Sequence, residues 1–429
     1  MTLKELSFRL LSALYKLVFK EQMGDEARKL ILGTSYVGIG SVFGALLSLT
    51  FSIIGANILG PSNFGVLGLV TTVSLILGFS MGVGLIPMIK YGSGADDHFV
   101  QVSIISTSYI LIWVVTAASA CIYALFSSPL SHLFGVSTKI FFFALFLAVT
   151  STFYQITINS LRIFFKMRVY ALLTAAQSAI LLAAFLIFIS NDMKSWESAA
   201  YSYYLSYVAI GFILVLYLRD YIKLRFERSW AKKIMHYALL SLPGGVAVTF
   251  MYVDRVLINK FMTTADVGLY NAYFMPSIIV ALILWSIINA AFFPYASKSA
   301  DRLAILGKSR KAAPYVAASI VLLVFLLEWI VFFLYGRQYP FSLEIGLFFA
   351  IAAAVVFFYQ FLGYLMASEG TRGAKVNALS SIIALIALAG LDLVLIPLIG
   401  LLGAAITLIF AYLIAAFYLL SKWRVLRAN

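Results

Sequence analysis

The chain has 429 residues, of which 63% are hydrophobic and only 11% are charged, with a formal net charge of +14. Soluble domains carry about 25% charged residues, so this composition excludes a soluble protein and makes lipid the solvent. The one cysteine, Cys121, excludes a disulfide framework and a thiolate metal site. No cofactor is predicted.

Twelve segments of this chain are apolar enough to cross a membrane, which takes about 20 residues. Backbone groups in lipid must pair internally, so these segments are predicted to be helices. They lie at residues 35–57, 66–89, 102–126, 140–161, 169–190, 200–218, 239–258, 268–293, 314–335, 345–367, 376–396 and 402–421. The predicted fold class is an all-α polytopic membrane protein with about 12 transmembrane helices.

The basic residues predict the orientation of these spans. With a cytoplasmic N-terminus, 26 lysines and arginines fall on the inner side, four fall on the outer side, and Arg255 lies within a span. Such asymmetry is typical of the positive-inside rule. We therefore predict a multi-pass protein of the cell (plasma or inner) membrane with both termini cytoplasmic, and no nucleic-acid partner.

The segments between and around the spans divide the chain. Leu3, Leu6 and Leu10 begin a leucine pattern at helical spacing with basic residues between, which predicts an amphipathic helix on the inner surface. Apolar residues at every fourth position of the central segment predict a second surface helix. The predicted units are the N-terminal helix 1–30, a six-helix lobe 31–218, an amphipathic linker 219–238, a second lobe 239–421 and a tail 422–429.

Three sequence pairs indicate an internal repeat. Six spans per half give both halves the same orientation, so we predict two lobes related by a pseudo-twofold axis normal to the membrane. The pairs are Phe64-Gly65-Val66-Leu67 with Val267-Gly268-Leu269-Tyr270, Phe134-Gly135 with Tyr335-Gly336, and Arg168-Val169-Tyr170-Ala171-Leu172 with Lys375-Val376-Asn377-Ala378-Leu379. Their offsets are 203, 201 and 207 residues.

Proline and glycine positions predict the hinges of the second lobe. Pro243, Gly244 and Gly245 open the seventh span, and Pro276 lies inside the eighth. Proline removes a backbone hydrogen bond and kinks a helix. We therefore expect bending at these two places.

Four ionisable residues fall within the spans, and such residues are functional candidates. They are Asp254, Arg255, Glu328 and Asp392. Adjacent residues on a helix do not face each other, so Asp254 and Arg255 are predicted to have separate partners, one of them in a hydrated cavity. Snorkelling of Arg255 to the outer surface and structural pairing of Glu328 remain alternatives. Asp392 is predicted to have a hydrated structural role.

Several short motifs carry a family resemblance. They are Leu59-Gly60-Pro61-Ser62-Asn63-Phe64-Gly65, Asp254 with Asp266-Val267-Gly268-Leu269-Tyr270, Phe292-Phe293-Pro294-Tyr295-Ala296-Ser297, Leu334-Tyr335-Gly336-Arg337-Gln338-Tyr339, and Ile396-Pro397-Leu398-Ile399-Gly400-Leu401-Leu402-Gly403. Together they resemble the O-antigen flippase (Wzx-type) branch of the multidrug/oligosaccharidyl-lipid/polysaccharide (MOP) transporter superfamily. The resemblance covers about residues 30–421.

This resemblance implies two six-helix lobes around a V-shaped cavity and flipping of a lipid-linked oligosaccharide to the outer leaflet by alternating access. The implied partners are the lipid-linked glycan on its phosphate or pyrophosphate carrier, membrane lipids, a coupling ion and glycan assembly enzymes. The resemblance does not separate this branch from teichuronic-acid, lipid II or multidrug exporters.

The phosphates of the implied substrate require cationic side chains to bind them, so the candidate binding residues are mainly cationic. Arg255, Lys90 and Arg162 are predicted to bind substrate together with Asn57. Some flippases of the resembled family carry a cation in the first span, whereas this chain has none there and only Asn57 near the end of that span. Asp254 and Glu328 are predicted to serve gating or coupling.

Two other functions stay open, a small-molecule antiporter of the same fold and a membrane glycan polymerase or glycosyltransferase. The repeat and the short outer loops weigh against an enzyme. A Gly-rich phosphate loop is also absent from the sequence, so the energy is predicted to come from a gradient.

Overall fold

The computed structural model describes residues 25–95, 97–223, 225–250, 252–286, 288–289 and 302–423. These residues form helices joined by short turns, without a strand in the described ranges. Residues 1–24, 424–429 and the motif at 292–297 lie outside them, so the predicted N-terminal surface helix and part of the tail are not described.

Seven helices precede the middle of the chain. They are α1 Asp25–Met81, α2 Leu85–Ser93, α3 His98–Leu125, α4 Ser127–Leu133, α5 Thr138–Ile163, α6 Met167–Ser190 and α7 Trp196–Tyr217. Side-chain caps begin two of them, since Asp97 accepts a hydrogen bond from the Phe99 amide and Ser137 accepts one from Ile140.

The named helices of the second half, within the described ranges, are six. They are α8 Arg228–Phe250, α9 Asp254–Phe261, α10 Thr264–Phe274, α11 Arg302–Tyr335, α12 Leu343–Ala367 and α13 Thr371–Ser421. After α10 comes a π-helical turn, Met275–Ile279, and the helix then continues to Ser286.

Nine helices in the described ranges are long and apolar enough to cross a membrane. Two of them, Val42–Met81 and Arg372–Ser421, have 40 and 50 residues, enough for two crossings each at about 20 residues per crossing. Non-helical backbone divides them at Gly60 and at Ile399–Gly400. Both glycines have positive φ, which other residues rarely adopt. This protein is therefore an all-α multi-pass membrane protein, and eleven predicted spans fall at least in part on these helices. The second predicted span, 66–89, differs from its prediction of one helix, because α1 ends at Met81 and α2 begins only at Leu85.

The seventh predicted span differs from its prediction of one helix over 239–258. The chain forms α8 up to Phe250 and α9 from Asp254, with a turn at Tyr252 and Val253 between them. The Asp254 carboxylate accepts a hydrogen bond from the Arg255 amide (2.8 Å), so it satisfies a donor that a continuous helix would have used. Irregular backbone at membrane depth is tolerated only where protein or a water-filled cavity surrounds it.

The linker also differs from the predicted surface helix. Residues 219–223 and 225–227 are not helical, and α8 begins only at Arg228. Buried hydroxyls of α3 bind this segment instead, because Ser106 and Thr107 accept hydrogen bonds from the amides of Lys223 (3.0 Å) and Glu227 (3.1 Å). Those amides are therefore not free to form a helix.

Glu227 completes the attachment of the linker to α3. Its carboxylate accepts hydrogen bonds from Ser103 (2.5 Å) and Ser229 (2.7 Å). These bonds, the one from Ser103 first, hold the pKa of Glu227 below its usual value. The linker is thus fixed against the first lobe while Glu227 is ionised.

Candidate functional site

The two charges of the seventh span form a buried ion pair, contrary to the prediction that they point apart. Arg255 is 3% exposed and Asp254 4% exposed, and Nη1 of Arg255 lies 3.3 Å from Oδ1 of Asp254. The prediction failed because these residues start α9 and the long arginine side chain folds back on the residue before it. The snorkelling alternative is also excluded, since the guanidinium is buried.

The pair is held by helix α10 and by aromatic rings. Nε of Arg255 donates to Oδ1 of Asn271 at 2.5 Å, and the Tyr270 hydroxyl donates to the Asp254 carboxylate. The guanidinium carbon lies 4.2 Å from the centre of the Phe274 ring, a cation–π distance. A charge buried away from water needs such partners, and here α10 provides them.

Helices α1 and α10 cross at two glycines, and the crossing is reciprocal. A Cβ on Gly65 would overlap the carbonyl oxygen of Thr264, and a Cβ on Gly268 would overlap the carbonyl oxygen of Pro61. Pro61 and Thr264 are 203 residues apart, as are Gly65 and Gly268. The first repeated motif therefore packs against its own copy, which is what a pseudo-twofold axis between the lobes would produce.

Two asparagines make a second reciprocal contact at the same end of the molecule. Asn57, at the end of the first span, donates to the carbonyls of Leu334 and Tyr335 at 3.3 Å. Asn259, at the end of the seventh, donates to the carbonyl of Gly135 at 2.7 Å. Asn57 thus bonds to the last residues of α11, and Asn259 bonds to the turn after α4, each in the opposite half of the chain.

We call the region around these contacts the closed end, comprising residues 57–68, 134–136, 259–271 and 334–339. Gln338 adds a hydrogen bond to the carbonyl of Asn57 at 2.5 Å. The closed end lies on the side predicted to be extracytoplasmic. Here the amide of Asn57 bonds to protein carbonyls, and its predicted substrate contact stays a prediction.

The closed end is continuous with the buried ion pair. The amide nitrogen of Asn271 lies against Gly68, so closely that a Cβ at residue 68 would overlap it. The oxygen of the same amide accepts the bond from Arg255. Arg255 is therefore one side chain away from the contact between the halves.

Lys90 and Arg162 lie at the opposite, predicted inner end on two helices that touch. Gly92 of α2 packs on Ile163 of α5, where a Cβ would stand 2.9 Å from the isoleucine. Both cationic side chains are exposed. None of their contacts in the described ranges joins them to Arg255. We call Lys90 and Arg162 the inner pair because both lie at this end, whereas Arg255 is buried elsewhere.

Lys90 and Arg162 each contact polar or aromatic side chains. Nη1 of Arg162 donates to Asn159 at 3.2 Å, and Asn159 donates to Gln155 at 3.1 Å. These three residues follow one face of α5 into the membrane. Nζ of Lys90 lies 3.8 Å from the centre of the Tyr237 ring.

Glu328 and Asp392 are buried acids inside the second half. Glu328 is 0% exposed and Asp392 3% exposed. Among the described residues, both carboxylate oxygens of Glu328 and Oδ1 of Asp392 have no hydrogen-bond partner. The predicted hydrated role of Asp392 does not agree with its burial, because α13 is packed against α9 and α12.

The predicted hinges have different structures. Helix α8 runs through Pro243, Gly244 and Gly245 without interruption and ends at Phe250, so the break in this span lies nearer the buried ion pair than predicted. Pro276 lies in the π-helical turn. Proline lacks the amide that regular helix requires, and π turns are frequent at functional sites.

The sequence of residues 30–300 matches the polysaccharide biosynthesis protein family. This match covers more than half of the chain. The chain belongs to this family. No curated protein matches it.

Solved structures show the fold of this family member. An inward-facing multidrug resistance MATE family transporter of the MOP superfamily is similar at 16% identity and a TM-score of 0.71, over 89% of this chain and 94% of that one. The outward-facing conformation of such a transporter gives 16% identity and 0.65, over 94% and 96%. A MOP superfamily transporter from Pyrococcus furiosus, whose reverse polarity of the binding pocket suggests a different function, gives 16% and 0.60, over 95% and 98%. The chain thus has the fold of these MATE and MOP superfamily structures.

Sequence reasoning missed the residues that join the halves of this polysaccharide biosynthesis protein. Asn259 and Asn271, which contact the first half, were not among the candidates, and neither was Tyr270, which bonds to Asp254. The repeat contained a usable signal, because Asn259 follows Asn57 by 202 residues, close to the offset of the glycine motif. What the repeat could not give is the partner of each residue, which only the packing determines.

Proposed function

We propose that this protein flips a lipid-linked oligosaccharide from the inner to the outer leaflet by alternating access, in cell-surface polysaccharide biosynthesis. Exposed Lys90 and Arg162 on adjoining helices, with the polar face of α5 leading inward, carry the proposal. The family match supports it. A flippase must bind a phosphate-bearing headgroup from the inner side, and this is where a cationic pair is needed.

The inner pair has suitable chemistry for a lipid-linked glycan. A guanidinium binds phosphate through paired hydrogen bonds, and a lysine binds it as a point charge. Tyr91 and Tyr237 are half-buried beside Lys90, and rings of this kind offer apolar faces to sugars. Gln155 is exposed although it lies about eight residues inside the span. Polar groups at this depth favour a hydrated cavity over lipid.

Arg255 would receive the phosphate later in the cycle. In this conformation its hydrogen bonds go to Asp254 and Asn271, and it lies directly behind the closed end. Separation of Asn271 from Gly68 would expose the guanidinium to the space between the halves. Asp254 then serves to hold the cation while the end is closed, which is a gating role.

A multidrug antiporter is the second candidate, because similar solved structures include multidrug resistance transporters. An antiporter for apolar cations would not need Lys90 and Arg162. The two functions therefore differ in the charge that they require at the inner end. A glycan polymerase or glycosyltransferase has no observation in its favour.

The test is export in a strain that lacks this protein. We expect accumulation of a lipid-linked glycan in the inner leaflet, reversed by the native chain. The double variant Lys90→Ala/Arg162→Ala should reach the membrane and fail to reverse it. Lys194→Ala is the matched control, since Lys194 is exposed on the predicted outer side and pairs only with Asp192 (3.2 Å) among the described residues.

Two results would contradict the proposal. One is full export by the double variant. The other is a deletion strain with normal glycan lipids and increased sensitivity to cationic drugs, which would favour the antiporter.

A further inference from the structure

Glu328 lies in an apolar site that accommodates only its neutral form. The residue is on α11, is completely buried, and makes no hydrogen bond through either oxygen to the part of the chain that the structure describes. An ionised carboxylate transferred from water to such a site costs several kcal/mol. A protonated carboxyl is the form compatible with this packing.

The neighbouring helices leave room for the carboxyl and give it no charge. A Cβ on Gly346 of α12 would lie 3.0 Å from Oε2 of Glu328 and 2.8 Å from the Phe341 ring, so glycine makes the space. The titratable group that faces Glu328 is Tyr273 of α10. Its hydroxyl is already bonded to Ser342, whose amide donates to it at 2.7 Å. The described part of the chain thus offers Glu328 no cation or base.

Tyr273 connects this site to the closed end. It precedes the π-helical turn Met275–Ile279, which contains Pro276 and packs against both α11 and α12. Its ring stacks on Phe349 with centroids 5.5 Å apart and 9° between the planes. The same helix carries Gly268 at the glycine crossing. Bending at the π-helical turn would therefore move the crossing and uncover the packing around Glu328.

We propose that Glu328 is a proton-binding site, and that loss of its proton is coupled to opening of the closed end. The carboxyl lies seven residues before Tyr335, about 10 Å along the helix, so an opened end would admit water to it. The coupling rests on the alternating access proposed above. By linkage, a conformation that holds one more proton is disfavoured as pH rises, by up to tenfold per pH unit.

The test measures the closed end without any glycan. Spin labels at Ser62→Cys and Lys260→Cys, exposed positions on the two halves of the closed end, report its width in a Cys121→Ser chain reconstituted in lipid nanodiscs. We expect the open population to increase between pH 5 and pH 9. In Glu328→Gln, which imitates the protonated carboxyl, the closed population should persist at every pH. Glu344→Gln, an exposed acid on the first turn of α12, should behave as the native chain.

The proposal is overturned if Glu328→Gln keeps the pH dependence, or if the native distances do not change with pH. Glu328→Met, an apolar replacement of similar length, serves as the second variant in case the glutamine amide impairs folding. It should also remain closed. No glycan is present in this experiment, so a negative result here would not contradict the proposed lipid-linked substrate. A negative result in the export test would likewise not contradict the proposed proton site.

Discussion

At the scale of single residues, Asp254 and Arg255 form a buried ion pair. Each charge satisfies the other, and Asn271 and Tyr270 bond to the remaining atoms. Such pairs contribute little net stability, but removing one partner leaves a buried charge without compensation. Function and stability must therefore be separated when either residue is changed.

We predict that Arg255→Met destabilises the protein by roughly 3–5 kcal/mol, because the Asp254 carboxylate remains buried without its cation. The double variant Asp254→Asn/Arg255→Met should recover most of this loss, since neither charge is then present. Thermal unfolding in detergent micelles compares the two. A double variant no more stable than the single one would contradict the pairing.

The same variants separate the two roles of Arg255. If Arg255 holds phosphate, the double variant folds and still fails to export, whereas Arg255→Lys retains part of the export. Normal export by a stable double variant would show that the arginine serves only to neutralise Asp254.

At the scale of elements, the crossing of α1 and α10 depends on the absence of side chains. Gly65 and Gly268 each face a backbone carbonyl of the other helix. Carbonyl oxygens of packed helices cannot move aside as a flexible side chain can. Small residues at such crossings allow close approach of helices in membranes, so the crossing sets how tightly the closed end can shut.

We predict that Gly268→Ala separates α10 from Pro61 and increases the open population of the closed end. Gly390→Ala is the matched control, because a Cβ there meets nothing within 4 Å. In a helix interior that change should stabilise by roughly 0.5–1 kcal/mol. Both variants are compared by the distance between the spin labels at residues 62 and 260, as in the test of Glu328. If the spin-label distances do not change in Gly268→Ala, the two helices accommodate the added methyl group without opening the closed end.

At the scale of the whole molecule, the contacts at the closed end follow the repeat. Asn57 and Asn259 each bond to backbone carbonyls of the opposite half, and the glycine motif packs on its own copy. This reciprocity supports the predicted lobes 31–218 and 239–421, whose superposition stays a prediction. It also explains how one duplicated sequence can close one end with few residues.

We predict that the closed end faces outward and that both termini and the linker are cytoplasmic, because 26 basic residues fall on one side. In a Cys121→Ser chain, cysteines at Ser62 and Ser195 should react with a membrane-impermeant reagent in intact cells. A cysteine at Ser229 should react only after the membrane is opened. Labelling at residue 229 in intact cells would reverse the orientation.

Sequence alone determined the class of this protein, because lipid leaves few structures available to a chain that is 63% hydrophobic. Backbone pairing requires helices, and apolar length fixes where they cross. The same logic located Asp254, Arg255 and Glu328 as unusual charges within spans. Short motifs were enough for the family, since their order along the chain is itself informative.

Only the tertiary structure decided how those residues are used. The fold-back of Arg255 onto Asp254 depends on the turn at Tyr252 and Val253, which no proline or glycine marks. The linker prediction failed for a related reason, because hydroxyls of α3, distant in sequence, bond to its amides. Periodicity reports which face of a helix is apolar, whereas partners from other helices decide whether a charge is paired or a backbone amide is available.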